Sequence, residues 1–133
     1  MTIAGLTEAM SRNPSKAIEL LHRAQRLSPR DPRGWLTASV LSLAYLTEGQ
    51  FELAASSAER SLMQNPRFGP PLQVLAASLA KLGKREKAAT FIQQLLKNEP
   101  QLSLSRLRSR LMFMDRRVWD NFSEGLRLAG MPD

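Results

Sequence analysis

An all-α fold, built from antiparallel helix pairs that repeat along the chain, follows from three features of the sequence. A pattern recurs with a period of 34 residues between Trp35 and Pro100: Gly49 and Gly83, Ala54 and Ala88, and Pro66 and Pro100 are each that far apart. Each copy carries apolar residues at helical spacing. Each is also divided by a glycine and closed by a proline at matching offsets, so one supersecondary unit is used more than once.

At the N-terminus, Ile3, Leu6 and Met10 have helical spacing but fill fewer than ~12 residues, too few for a helix that is stable without packing. Asn13-Pro14-Ser15 then gives a start signal, and Ala17, Leu20, Leu21, Ala24 and Leu27 form a stripe that Pro29 ends. The offset from Ala17 to Pro29 equals those from Ala54 to Pro66 and from Ala88 to Pro100. This helix is therefore expected to be the second half of an earlier repeat, its first half being residues 1–10 or missing. An array that opens in mid-repeat reads as a segment of a longer protein, since arrays ordinarily begin with a capping unit. Ala17 and Ala54 are three positions further apart than the repeat period allows. A longer Pro29–Pro32 loop, or an extra helical turn that carries Trp35, is expected to absorb the difference. Trp35 is read as a core or cap residue, with a groove-edge aromatic as the alternative.

The first full copy runs Ala38, Leu41, Tyr45, Gly49, Phe51, Ala54, Ser61, Leu62 and Pro66. The second runs Leu72, Leu75, Leu79, Gly83, Arg85, Ala88, Leu95, Leu96 and Pro100. In each, a first helix is predicted up to the glycine, where a left-handed residue costs least. A second helix starts at once, its early alanines allowing close approach, and the proline stops it.

Past Pro100 the pattern changes. Leu102, Leu104, Leu107, Leu111 and Met114 form one stripe, interleaved with Arg106, Arg108 and Arg110. Asp115 is placed as an N-cap for a last helix with Val118, Trp119, Phe122, Leu126 and Leu128, and Gly130 and Pro132 end it. This pair is expected to cap the array, with Trp119 and Phe122 covering the open core of the last repeat.

Leu41-Ser42, Tyr45, Gly49-Gln50-Phe51, Ala54 and Pro66, with Gly83, Ala88 and Pro100 in the second copy, resemble the 34-residue signature of the tetratricopeptide repeat family. The family's tryptophan position is held by Ala38 and Leu72, and the aromatic after glycine becomes Arg85 in the second copy. The resemblance implies repeats stacked in a right-handed superhelix, with a partial N-terminal repeat at 1–34, repeats at 35–68 and 69–102, and C-terminal capping helices at 103–133. Segments 27–33, 49–54, 65–70 and 124–133 together also resemble the C-terminal repeat regions of bacterial class III adenylate cyclases and of related winged-helix regulators. That likeness implies a scaffold or regulatory segment in cAMP signalling, without a cyclase domain of its own.

Composition narrows the function classes. The 133 residues are 43% hydrophobic but 6% aromatic, so the core must be mostly aliphatic, and the absence of cysteine excludes disulfides, thiolate metal sites and a cysteine nucleophile. No apolar run approaches ~18 residues, so no membrane span is expected. Residues 1–10 lack the basic start of a secretory signal. A cytoplasmic location is expected. His22 is the single histidine, and the acidic residues and the Ser56-Ser57 and Ser103/Ser105 pairs lack a partner constellation. Gly49 and Gly83 are isolated turn glycines rather than a phosphate-binding loop. No catalysis, metal, cofactor or small-molecule substrate is expected.

What such repeats make is a protein-binding surface. The family's groove positions fall here on Leu36, Ser39, Val40, Leu43, Leu46, Thr47, Gln73, Val74, Ala77 and Lys81. Members that clamp a terminal carboxylate use Lys, Asn and Arg at such positions; here Ser39, Leu43, Gln73 and Ala77 occupy them and only Lys81 lies near, so no such clamp is expected. The groove is therefore expected to suit the apolar anchors of an amphipathic helix, or else to be covered by the chain's own cap or by a second copy. The net charge of +7 and the cluster Arg106, Arg108 and Arg110 raise anion contacts, and with them an accessory role in nucleic-acid binding, as the alternative function. No DNA- or RNA-binding motif accompanies them, so the arginines are read as a solvated face. A free-standing oligomerising adaptor is the third alternative.

Overall fold

The computed structural model describes residues 13–67, 69–112 and 115–133, and among these it shows seven helices and no strand. They are α1 Pro14–Leu27, α2 Gly34–Thr47, α3 Phe51–Gln64, α4 Pro70–Lys81, α5 Arg85–Asn98, α6 Leu104–Arg110 and α7 Arg116–Ala129. The expected stub at residues 1–10 lies outside the described residues, as does Met114.

Local chemistry sets the helix ends. The Asn13 side chain accepts a hydrogen bond from the Lys16 amide at the start of α1, Ser103 does the same for Arg106 in α6, and Asp115 for Arg117 in α7. Gly49 and Gly83 follow α2 and α4 with φ of 77° and 83°, in the left-handed region where a β-carbon is costly. Each is followed by a residue whose amide reaches back over the last turn, Gln50 to the Tyr45 carbonyl and Lys84 to the Leu79 carbonyl, both at 2.9 Å. This double closure lets the chain reverse in three residues and makes α2–α3 and α4–α5 hairpins.

The three-residue slip is shared between loop and helix. Residues 28–33 join α1 to α2, one more than the five that join α3 to α4, and α2 begins two residues earlier in its unit than α4. Trp35 thus lies in an added half-turn, half-buried, with its carbonyl accepting from the Ser61 hydroxyl at 2.6 Å.

Packing runs in sequence order from α1 to α5: each helix lies against the next, and α2 also touches α4. Small residues make the close approaches. Ala44, Ala54, Ala58, Ala76, Ala77 and Ala88 are fully enclosed, and larger aliphatic side chains such as Leu41, Leu46 and Leu75 fill the space between them. α1 is fixed to α2 by Ala17 and Leu21, and by the His22 Nε2 and Tyr45 hydroxyl pair at 2.7 Å. The outer part of its stripe is not used: Leu27 is 77% exposed.

The C-terminal pair lies against the last repeat, but not in the order in which the repeats stack. α6 is only seven residues long, and Leu102, read as part of its stripe, is buried ahead of it. α7 does not continue the stacking order. It lies mainly along α4, with flanking contacts to α2 and α5 and a smaller one to α6. The physical reason is α7's own face: Val118, Phe122, Gly125, Leu126 and Ala129 recur at i, i+4, i+7, i+8 and i+11 and are all buried. Leu128, placed on that stripe by the sequence, is on the solvent side. The tail holds the arrangement closed, since the Leu104 amide donates to the Pro132 carbonyl at 2.8 Å and Met131 is buried.

Candidate functional site

Adjacent first helices of the two hairpins, α2 and α4, share one face, and the groove positions named from the sequence fall on these two helices. Their accessibility differs sharply. Leu36 and Thr47 are half-buried at the two ends of α2, and the Thr47 hydroxyl is bonded to the Leu43 carbonyl at 2.9 Å. Ser39 and Val40 are each 8% exposed, while Leu46 is completely enclosed and has no surface to offer. On α4, Gln73 and Lys81 are half-buried, and Val74 and Ala77 are buried.

What covers this face is α7. Gly125 sits against Ala77 so closely that a β-carbon there would lie 2.7 Å from the Ala77 carbonyl oxygen. Only glycine allows that separation. The Phe122 ring is buried in the core and, with Leu43, Leu72, Val74, Leu95 and Leu107, lines a cavity of about 660 Å³. Lys81 Nζ meets Glu124 Oε2 at 2.9 Å, and the ammonium also lies 6.0 Å from the Phe51 ring centroid. The Lys81 side chain is 13% exposed and that of Glu124 is 62% exposed. The apolar anchor, the small residue and the charge of α7 thus each have a counterpart on the α2–α4 face. Full burial of Phe122 and Leu126 contributes roughly 1.5–3 kcal/mol each.

The residues of α7 that make this contact were not named as groove partners by the sequence. Phe122 was placed over the last repeat, whose Leu72, Val74 and Leu95 do lie beside it, while Glu124 and Gly125 carried no role. One signal was present: a glycine inside an otherwise periodic helix marks a close approach.

The arginines do not share a site. Arg106 Nη2 donates to Gln101 Oε1 at 3.0 Å, and Arg110 forks onto both Glu99 oxygens at 3.1 and 2.6 Å. The Arg108 guanidinium carbon lies 5.3 Å from the Trp119 ring centroid. Arg110 holds the Glu99 carboxyl below its ordinary value, chiefly through this hydrogen bond. Three guanidinium groups are therefore engaged by three different neighbours.

Among the described residues no cluster of three or more metal-ligating side chains occurs, and no helix is long and apolar enough to cross a membrane. His22 pairs with Tyr45, between the first two helices, rather than with an acid or a nucleophile.

A family model described as a tetratricopeptide repeat matches residues 45–111, just over half of the 133 residues. No curated protein matches the chain.

Proposed function

The chain belongs to the tetratricopeptide repeat family, whose repeats mediate protein–protein interaction, and on that premise we propose that it is a non-catalytic module whose α2–α4 face binds an amphipathic helix. One observation carries the reading: an amphipathic helix, α7, is seated on that face, with a buried aromatic anchor and an ion pair at Lys81. Leu36, Ser39, Val40, Leu43, Thr47, Gln73, Val74, Ala77 and Lys81 are the contact residues in this proposal, and residues 35–68 and 69–102 its two full repeats. The module serves as a C-terminal scaffold or regulatory segment of a larger signalling protein such as a class III adenylate cyclase. Support for that parent is the likeness of residues 27–33, 49–54, 65–70 and 124–133 to such regions.

Two measurements test the reading. Photo-cross-linkers at Leu36 and Thr47, on the α2–α4 face, should capture a defined partner that one at Met63 does not; Met63 is 83% exposed on α3. Equal capture from Met63 would move the interface elsewhere. An immunoblot of the native product should give a band far larger than a 133-residue chain, and a band of that size would leave a free adaptor.

A further inference from the structure

We infer that α7 is a tethered occupant of the α2–α4 face, which a partner helix of matching pattern displaces; this rests on the helix-binding reading above. The pattern can be read from α7 itself. It is an aromatic residue in the place of Phe122, a carboxylate two positions on, glycine three positions on, leucine four on and alanine seven on. Each place has a physical reason. The core beneath α7 takes the ring, Lys81 takes the carboxylate, and the Ala77 backbone leaves no room for a β-carbon at the glycine. Leu126 and Ala129 are 0% and 2% exposed beneath the helix.

Displacement is feasible because it is an exchange. A partner helix with this face buries again the apolar area that α7 exposes on leaving, so only the difference in affinity decides the population. Tethering holds α7 at an effective concentration on the order of mM or more, so a free helix of identical sequence binds weakly until the tethered copy is weakened. The Lys81–Glu124 pair is the contact at which this can be done from the surface, since Glu124 is exposed and its replacement removes nothing from the core.

The test uses a labelled synthetic peptide of residues 115–133 and the full chain in three forms. Wild type should bind the peptide weakly. Glu124→Lys, which sets two cations against each other at the α7 seat, should bind it about fivefold more tightly. Lys81→Glu combined with Glu124→Lys restores the tethered pair and opposes the peptide's own glutamate, so binding should fall back to the wild-type level or below. Gly125→Val, read by hydrogen exchange along α7, supplies a stronger release. Equal binding to all forms overturns the proposal while leaving the helix-binding face intact. No binding even where exchange shows α7 released also overturns it. The helix-binding reading then falls too only if the Leu36 and Thr47 cross-links fail as well.

Discussion

Gly125 of α7 and Ala77 of α4 approach so closely that a β-carbon at position 125 would lie 2.7 Å from the Ala77 carbonyl oxygen and 2.8 Å from its β-carbon. The contact sets two preferences of one residue against each other. In an isolated helix, glycine is about 1 kcal/mol worse than alanine. In the folded chain, the added methyl has backbone on its far side and must push α7 away from α4. Gly125→Ala should therefore raise the helicity of a peptide of residues 115–133 while destabilising the full chain by about 1–3 kcal/mol. Circular dichroism of the peptide and urea unfolding of the chain read the two signs. A full chain stabilised by the substitution would show that the close approach does not exist in solution.

Phe122 is the anchor of the same helix and is 2% exposed. Phe122→Ala should cost about 3–5 kcal/mol, because the ring is buried and its loss enlarges a cavity that it already lines with residues of α2, α4, α5 and α6. Leu53→Ala, at a position 47% exposed on α3, should stay within about 0.5 kcal/mol. Thermal unfolding of the two variants against wild type checks the contrast, and similar losses would mean that Phe122 is not seated as described.

The repeat was legible because its signals are local. Gly49 and Gly83 mark reversals that a left-handed residue makes, and the proline at each unit's end blocks helix continuation whatever lies beyond. The hairpins α2–α3 and α4–α5 follow from those signals and from stripes at 3.6-residue period. The destination of α7, the groove covered by the chain's own cap, was legible only as one of several alternatives, for a physical reason. Its stripe says that one face must be buried, but a stripe is equally satisfied by the end of the last repeat, by the α2–α4 face or by a second chain. Gly125 marked a close approach, but a glycine does not name the neighbour, so it could not choose among them. Likewise, full burial of Leu46 could not be separated from the partial exposure of Leu36 on the same helix, since both have groove offsets in the repeat.

Two buried serines should respond to the same substitution in opposite directions. The Ser61 hydroxyl donates to the Trp35 carbonyl at 2.6 Å, tying α3 to the added half-turn of α2. Ser61→Ala should cost about 1–2 kcal/mol, since it removes this buried hydrogen bond between α3 and α2. The Ser78 hydroxyl is fully buried and has no hydrogen-bond partner among the described residues. Ser78→Ala removes an unsatisfied polar group at nearly constant shape, and should stabilise the chain by about 1 kcal/mol. Denaturant midpoints at unchanged slope measure both. Destabilisation at Ser78 would reveal a partner for its hydroxyl.

Acid should loosen the joint between α5 and α6. The Arg110 fork onto Glu99 links the residue after α5 to the last residue of α6, and it lowers the Glu99 pKa from the ordinary 4.5, against a smaller opposing effect of desolvation. A carboxylate whose pKa is depressed on folding contributes stability that is present above its unfolded value and lost as pH falls through the folded one. Glu99→Gln should thus be less stable than wild type at neutral pH, and the two should converge well below pH 4.5. Arg110→Gln removes the same pair from the other side, so its acid profile should match that of Glu99→Gln. Both groups are exposed, and high salt should shrink the neutral-pH difference. Unfolding curves of the three proteins between neutral pH and pH 3 decide it, and a gap that persists in acid would mean that Glu99 acts through something other than its charge.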